Sequence, residues 1–183
     1  VECGSYLPEW RERQDYRQSV SANSDLGGGV LLELSHELDY IRWFFGEMKN
    51  VFANIQNSGT LELDVEDSTD MIFETVQGFS VSIHLDFNSR NTRRKCIARC
   101  SNGNLTWDIV ENKVIWQPAN GIEEVEIYQN DRNYVYKEQL KHFFDCIEKD
   151  EQPSVSIHDG VAVLNMIESA KKSHRLNEKV ALA

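Results

Sequence analysis

The sequence has no surplus of basic residues. Nineteen Lys and Arg stand against thirty Asp and Glu, a formal net charge of −11. A nucleic acid or an anionic membrane needs a basic surface on its partner, so neither is expected here. No apolar run approaches the roughly 20 residues of a membrane-spanning helix. No signal-peptide pattern opens the sequence, whose first residue is Val1. Paired cysteines are missing too. Cys3, Cys96, Cys100 and Cys146 form no C-x-x-C and no Cys/His spacing typical of zinc, so no metal site is expected. Cys96 and Cys100 fall on one side of a strand, too far apart along it for an easy bridge. Free thiols in a reducing cytoplasm are expected instead. A strand leading into G-x-G-x-x-G is also lacking. Gly27-Gly28-Gly29 does not have that spacing and follows a polar loop.

What is present is an ordinary globular composition, 40% hydrophobic and 27% charged over 183 residues. Residues 1–183 read as one domain with a sizeable core. The chain is organised around residues 27–46. Three glycines allow a tight turn or a close approach. A continuous helical pattern follows, and Gly46 supplies a stop. At about 100° per residue, Leu31, Leu34, Leu38, Ile41 and Phe45 share one face, a core stripe. Leu32, His36, Asp39 and Trp43 share an adjacent face, with Glu33 and Tyr40 beside it. His36 and Asp39 are three apart and can meet on the helix surface. An acid that holds one imidazole nitrogen leaves the other to take or give a proton near neutral pH. The plain alternative is a surface ion pair.

Residues 1–6 read as a short strand. Residues 7–26 are polar and rich in Trp, Arg, Tyr and Asp, with a short helix around residues 16–21. A loop that long is uncommon unless functional. Two readings stay open: a flap over a pocket, or a loop packed on its own domain. Arg11, Arg13 and Arg17 offer forked donors to a carboxylate or phosphate, or to the protein's own acids.

Strands are expected over residues 49–56, 68–76, 79–87, 93–100, 105–110, 113–117 and 123–128. Gln77-Gly78 and Asn102-Gly103 mark hairpin turns. Phe79, Val81, Ile83, Leu85 and Phe87 point one way; Ser80, Ser82, His84 and Asp86 point the other. His84 reads as an exposed or hydrogen-bonded strand histidine. Arg90, Arg93 and Arg94 read as solvated charges or as reach toward an anion. Helices are expected over residues 134–149, with Leu140, Phe143, Phe144 and Ile147 at helical spacing, and over residues 159–173. Residues 180–182 add an edge strand. The sum is an α+β fold: a mostly antiparallel open sheet with helices packed on one face.

Several motifs carry a family resemblance. Ser5-Tyr6-Leu7-Pro8-Glu9-Trp10, Asp15-Tyr16-Arg17 and the run over residues 27–46 resemble the C-terminal domain of the Gfo/Idh/MocA family of NAD(P)-dependent oxidoreductases. Asn104-Leu105-Thr106-Trp107-Asp108 is similar to that domain's Gly-Thr-Leu-x-Trp-Asp strand. Residues 158–179 resemble its last helix.

The resemblance implies a glyceraldehyde-3-phosphate dehydrogenase C-terminal-like fold. It also implies that an N-terminal dinucleotide-binding domain is absent from this chain. His36 becomes the acid/base for the reacting hydroxyl, with Glu33 and Asp39 as further catalytic acids. The family's acid lies four residues before its histidine, whereas Glu33 lies three before. Trp10, Arg11, Tyr16 and Arg17 shape the substrate side. The full-length parent uses NAD or NADP on a sugar or nucleotide-sugar hydroxyl or ketone, and forms a homo-oligomer through its sheet face. The chain alone is expected to bind no dinucleotide tightly and to be inactive. A non-catalytic module for a small ligand or a protein is the alternative, and a dimerisation domain without chemistry is a third.

Overall fold

A computed structural model describes residues 1–11, 13–129 and 133–182. In chain order the elements are β1 (Glu2–Gly4), α1 (Val30–Glu33), α2 (His36–Phe45), β2 (Met48–Gln56), β3 (Ser68–Thr75), β4 (Ser80–Asp86), β5 (Arg93–Cys100), β6 (Gly103–Asp108), β7 (Lys113–Pro118), β8 (Glu124–Ile127), α3 (Tyr134–Lys149), α4 (Ile157–Leu176) and β9 (Val180–Ala181). The strands lie in the order β8-β7-β6-β5-β1-β4-β3-β2-β9. Only the β1–β4 pairing is parallel among those with a described register; β1–β5, β2–β3, β3–β4, β2–β9, β6–β7 and β7–β8 are antiparallel. The architecture is α+β with a mostly antiparallel open sheet, as the strand pattern predicts.

The chain divides into two compact units, residues 1–95 with 162–183 and residues 96–161. In the first, alternation along the strands sends Val51, Ala53, Met71, Phe73, Val81, Ile83 and Leu85 inward. They meet Leu31, Leu38 and Ile41 from α1 and α2, and Met166, Ile167 and Ala170 from α4. Leu31, Leu38, Ile41, Phe73 and Leu85 are sealed from solvent, and each such side chain stabilises the fold by about 1.5–3 kcal/mol. Ser173 fastens α4 to the sheet: its Oγ accepts from Ala53 N at 3.1 Å and donates to Glu178 O at 2.6 Å.

The single helix expected over residues 30–45 is two. Leu34 leaves helical geometry at φ −101°, ψ 23°. Ser35 N, Glu37 N and Leu38 N bond three residues back, to Leu32 O, Leu34 O and Ser35 O. This tighter pitch separates α1 from α2. The apolar stripe still faces the core, and Gly46 ends α2 at φ 79°.

The glycines do specific work. A Cβ on Gly28 would lie 2.4 Å from Val20 O and 2.8 Å from both Ser21 O and Asn23 O. The polar segment before it folds into four short 3-10 turns, with Leu7, Ser19, Ser21 and Ala22 buried. Its outer side is tied to residues 57–67 by Ser24–Asp64 and Arg17–Glu62 contacts. It is therefore a packed part of the first unit.

The second unit holds the β6–β7–β8 meander and α3, whose bounds match the sequence reading. Leu140, Phe143, Phe144 and Ile147 share a helical stripe, yet all four stand more than half exposed.

Candidate functional site

Sequence dictates the site's construction through α2. His36 opens the helix and is 46% exposed. Glu37 follows and is fully buried. Glu37 lies three residues after Leu34 and four before Ile41, beside the apolar stripe, so the helix turns it inward. A bare carboxylate there would cost several kcal/mol of lost solvation. The sheet supplies the counter-charge. In the β1–β5 pairing, Cys3 is opposite Arg94. Arg94 Nε donates to Glu37 Oε1 at 2.6 Å, and His36 Nε2 lies 3.2 Å from the same oxygen.

The electrostatics follow from these contacts. Burial alone would raise the Glu37 pKa, but the His36 and Arg94 contacts outweigh it and hold the carboxyl below its usual range. Burial, followed by the Glu37 charge, pushes the Cys3 thiol up to about 12. Ligand atoms of Cys3, His36 and Glu37 lie within 4.8 Å of one another, as a metal set would. The carboxylate among them is bound by the Arg94 guanidinium, so Glu37 and Arg94 form a buried ion pair.

The sequence-predicted residues fall into two groups. His36 is joined to Glu37, not to Asp39: the acid contact expected three residues along is made one residue along, because Glu37 is anchored by Arg94. Glu33 and Asp39 are half-buried on the flanking turns. Trp10, Arg11 and Tyr16 line a small cavity of about 10 Å³ with Leu7, Gln14, Ser19 and Ser21. Trp10 Nε1 donates to Ser5 Oγ at 2.8 Å, and its ring meets Phe87 edge-on at 5.4 Å. Arg17 is engaged by Asp15 and Glu62 at 2.9 and 2.6 Å. His36 is not among the cavity's lining residues.

Arg90, Arg93 and Arg94, expected as solvated charges, each have a partner. Arg90 stacks over the Tyr6 ring at 3.5 Å, Arg93 pairs with Glu2 at 2.9 Å, and Arg94 holds Glu37. Cys3, Glu37 and Arg94 are the site residues that sequence reasoning missed. An acid beside a core stripe was the signal for Glu37. Nothing local marks a partner 57 positions away.

A second polar cluster lies on the open face of the sheet. His84 Nδ1 is 2.8 Å from Asp70 Oδ1, and its Nε2 is 3.2 Å from Asp86 Oδ2. The Asp86 contact first, and then Asp70, raise His84 to about 9 against the opposing pull of burial. A concavity of about 400 Å³ beside them is lined by Phe52, Asn54, Ile72 and Ser82 among others. None of the four cysteines is in a disulfide; Cys100 is exposed and the rest are buried. No helix among the described residues is long and apolar enough to cross a membrane.

Fold and site together define a class, an open-sheet α+β domain whose helical layer brings a half-exposed histidine to a buried ion pair. The chain belongs to the GFO/IDH/MocA C-terminal domain family, whose model matches residues 3–106. No curated protein matches the sequence. Among solved structures it is similar to levoglucosan dehydrogenase in complex with NADH and levoglucosan, with TM-score 0.87 and 14% identity. That match covers 100% of this chain and 57% of that one. Aldose-aldose oxidoreductase from Caulobacter crescentus, complexed with glycerol, gives TM-score 0.84 at 19% identity over 99% of this chain and 54% of that one. The WlbA dehydrogenase from Bordetella pertussis, in complex with NADH and UDP-GlcNAcA, gives 0.75 at 17% over 100% and 56%. The chain thus spans little more than half the length of the structures it matches.

Proposed function

We propose that residues 1–183 form the substrate-binding and oligomerisation domain of an NAD(P)-dependent oxidoreductase. It would act on a hydroxyl or ketone of a sugar or nucleotide-linked sugar. The observation that carries this is His36, half-exposed at the start of α2 and held by a buried carboxylate, in a domain of this family. The similar structures, in complex with NADH, levoglucosan and UDP-GlcNAcA, support the substrate and cofactor classes.

In the parent, a nicotinamide dinucleotide held outside this chain supplies hydride transfer. No residue here carries the dinucleotide fingerprint, so the chain alone is inactive. His36 exchanges the proton of the reacting hydroxyl. Glu33 and Asp39 are the further acids on the turns around it. Trp10, Arg11, Tyr16 and Arg17 belong to the substrate side. Copies associate through the open sheet face, where Phe52 and Ile72 are 41% and 53% exposed. The exposed stripe of α3 is consistent with more protein covering it. The free thiols favour a cytoplasmic setting.

The test is the full-length protein with NAD and NADP against aldoses, polyols and UDP-sugars, followed by nicotinamide absorbance. Turnover of a member of these classes supports the reading. Tight dinucleotide binding without turnover of any of them contradicts it.

A further inference from the structure

We infer that Glu37 is a positioning residue. Clamped by Arg94, it fixes the tautomer and orientation of His36, so that Nδ1 is the nitrogen that exchanges the substrate proton. The inference rests on the acid/base reading of His36 and deepens it.

The geometry is unusual for a pair that serves only to hold the fold. Glu37 has no solvent exposure. Its Oε1 takes both the Arg94 and the His36 contacts. A buried ion pair is weak evidence for stability, because desolvation offsets most of the attraction. This one joins two separate elements, α2 and β5, and its carboxylate also meets the half-exposed imidazole.

The chemistry then follows from what each group can do. Glu37 is ionised and can only accept a hydrogen bond. The His36 nitrogen facing it, Nε2, therefore carries the proton. Nδ1 keeps its lone pair. When a hydroxyl proton passes to Nδ1, the ring becomes an imidazolium whose Nε2–H faces the carboxylate at 3.2 Å. In the reverse direction Nδ1 returns the proton and the ring is again neutral. Arg94 stops Glu37 from swinging away. The Cys3 thiol, pushed up to about 12, remains protonated and adds no competing charge.

The test uses the full-length protein carrying 15N-labelled histidine, with the His36 signals assigned by comparison with His36→Asn. Long-range proton–nitrogen correlation spectra of neutral His36 report which nitrogen bears the proton. Protonation at Nε2 is expected; protonation at Nδ1 overturns the inference. In Glu37→Gln, the tautomer preference weakens and kcat falls on the order of 10²-fold with KM little changed. If His36→Ala abolishes turnover while Glu37→Gln keeps wild-type kcat and tautomer, the positioning role fails and the His36 role stands. If His36→Ala is fully active, the His36 role fails first. Should Glu37→Gln not fold, the wild-type tautomer decides alone.

Discussion

Arg94 reaches Glu37 from the neighbouring sheet, Nε to Oε1 at 2.6 Å, and the carboxylate it meets is fully enclosed. Removing one partner of such a pair leaves an uncompensated buried charge. Arg94→Met is therefore expected to destabilise the protein by about 3 kcal/mol, read as a lowered midpoint in urea unfolding. The double variant Arg94→Met/Glu37→Met recovers much of that loss, because no charge is then stranded. Equal or greater damage in the double variant contradicts this.

His84 gives a pH dependence with a definite sign. Its pKa is raised in the folded protein to about 9 from an ordinary 6.5. A raised histidine favours folding fully below pH 6.5, and that contribution is lost as pH climbs through 9. The side chain is 38% exposed, so water screening limits the effect to about 1 kcal/mol. Thermal unfolding of wild type against His84→Gln should show a gap of about 2–4 °C at pH 6 that closes by pH 10. A gap that widens with pH refutes the sign.

Gly28 is a matter of space. A methyl group there would press on three backbone oxygens, of which Val20 O is 2.4 Å away. Backbone cannot swing aside as a side chain does. Gly28→Ala should cost about 1–3 kcal/mol in thermal or urea unfolding. Gly27→Ala meets nothing within 4 Å and bears only the strain of φ +77°, about 1 kcal/mol. Gly27→Ala proving the more damaging of the two would contradict this account.

These features differ in how far the sequence reveals them. The bounds of α3 are legible because its helical pattern is long and ends in Lys149-Asp150, where Asp150 takes the left-handed cap. The β3–β4 hairpin is legible from alternation and from Gln77-Gly78. The break between α1 and α2 is not, since the apolar spacing runs through it undisturbed. The site is legible only in part. His36 stands out because a histidine does not belong on a simple core helix. Its acid was read as Asp39 from helical spacing, which knows nothing of Arg94. The helix turns Glu37 inward, but only the β5 strand brings Arg94 to meet it. The pairing of Arg17 with Asp15 and Glu62 is hidden in the same way, because Glu62 lies in a loop without periodicity.

The central claim is that His36 carries the proton of the reacting hydroxyl. Its side chain is 46% exposed, so truncating it leaves the fold intact. Steady-state kinetics of the full-length protein with the proposed sugar or nucleotide-sugar substrates, wild type against His36→Ala, test the claim most directly. The account predicts a fall in kcat by a factor of about 10²–10⁴ with unfolding behaviour unchanged. Wild-type kcat in a folded His36→Ala protein would contradict it.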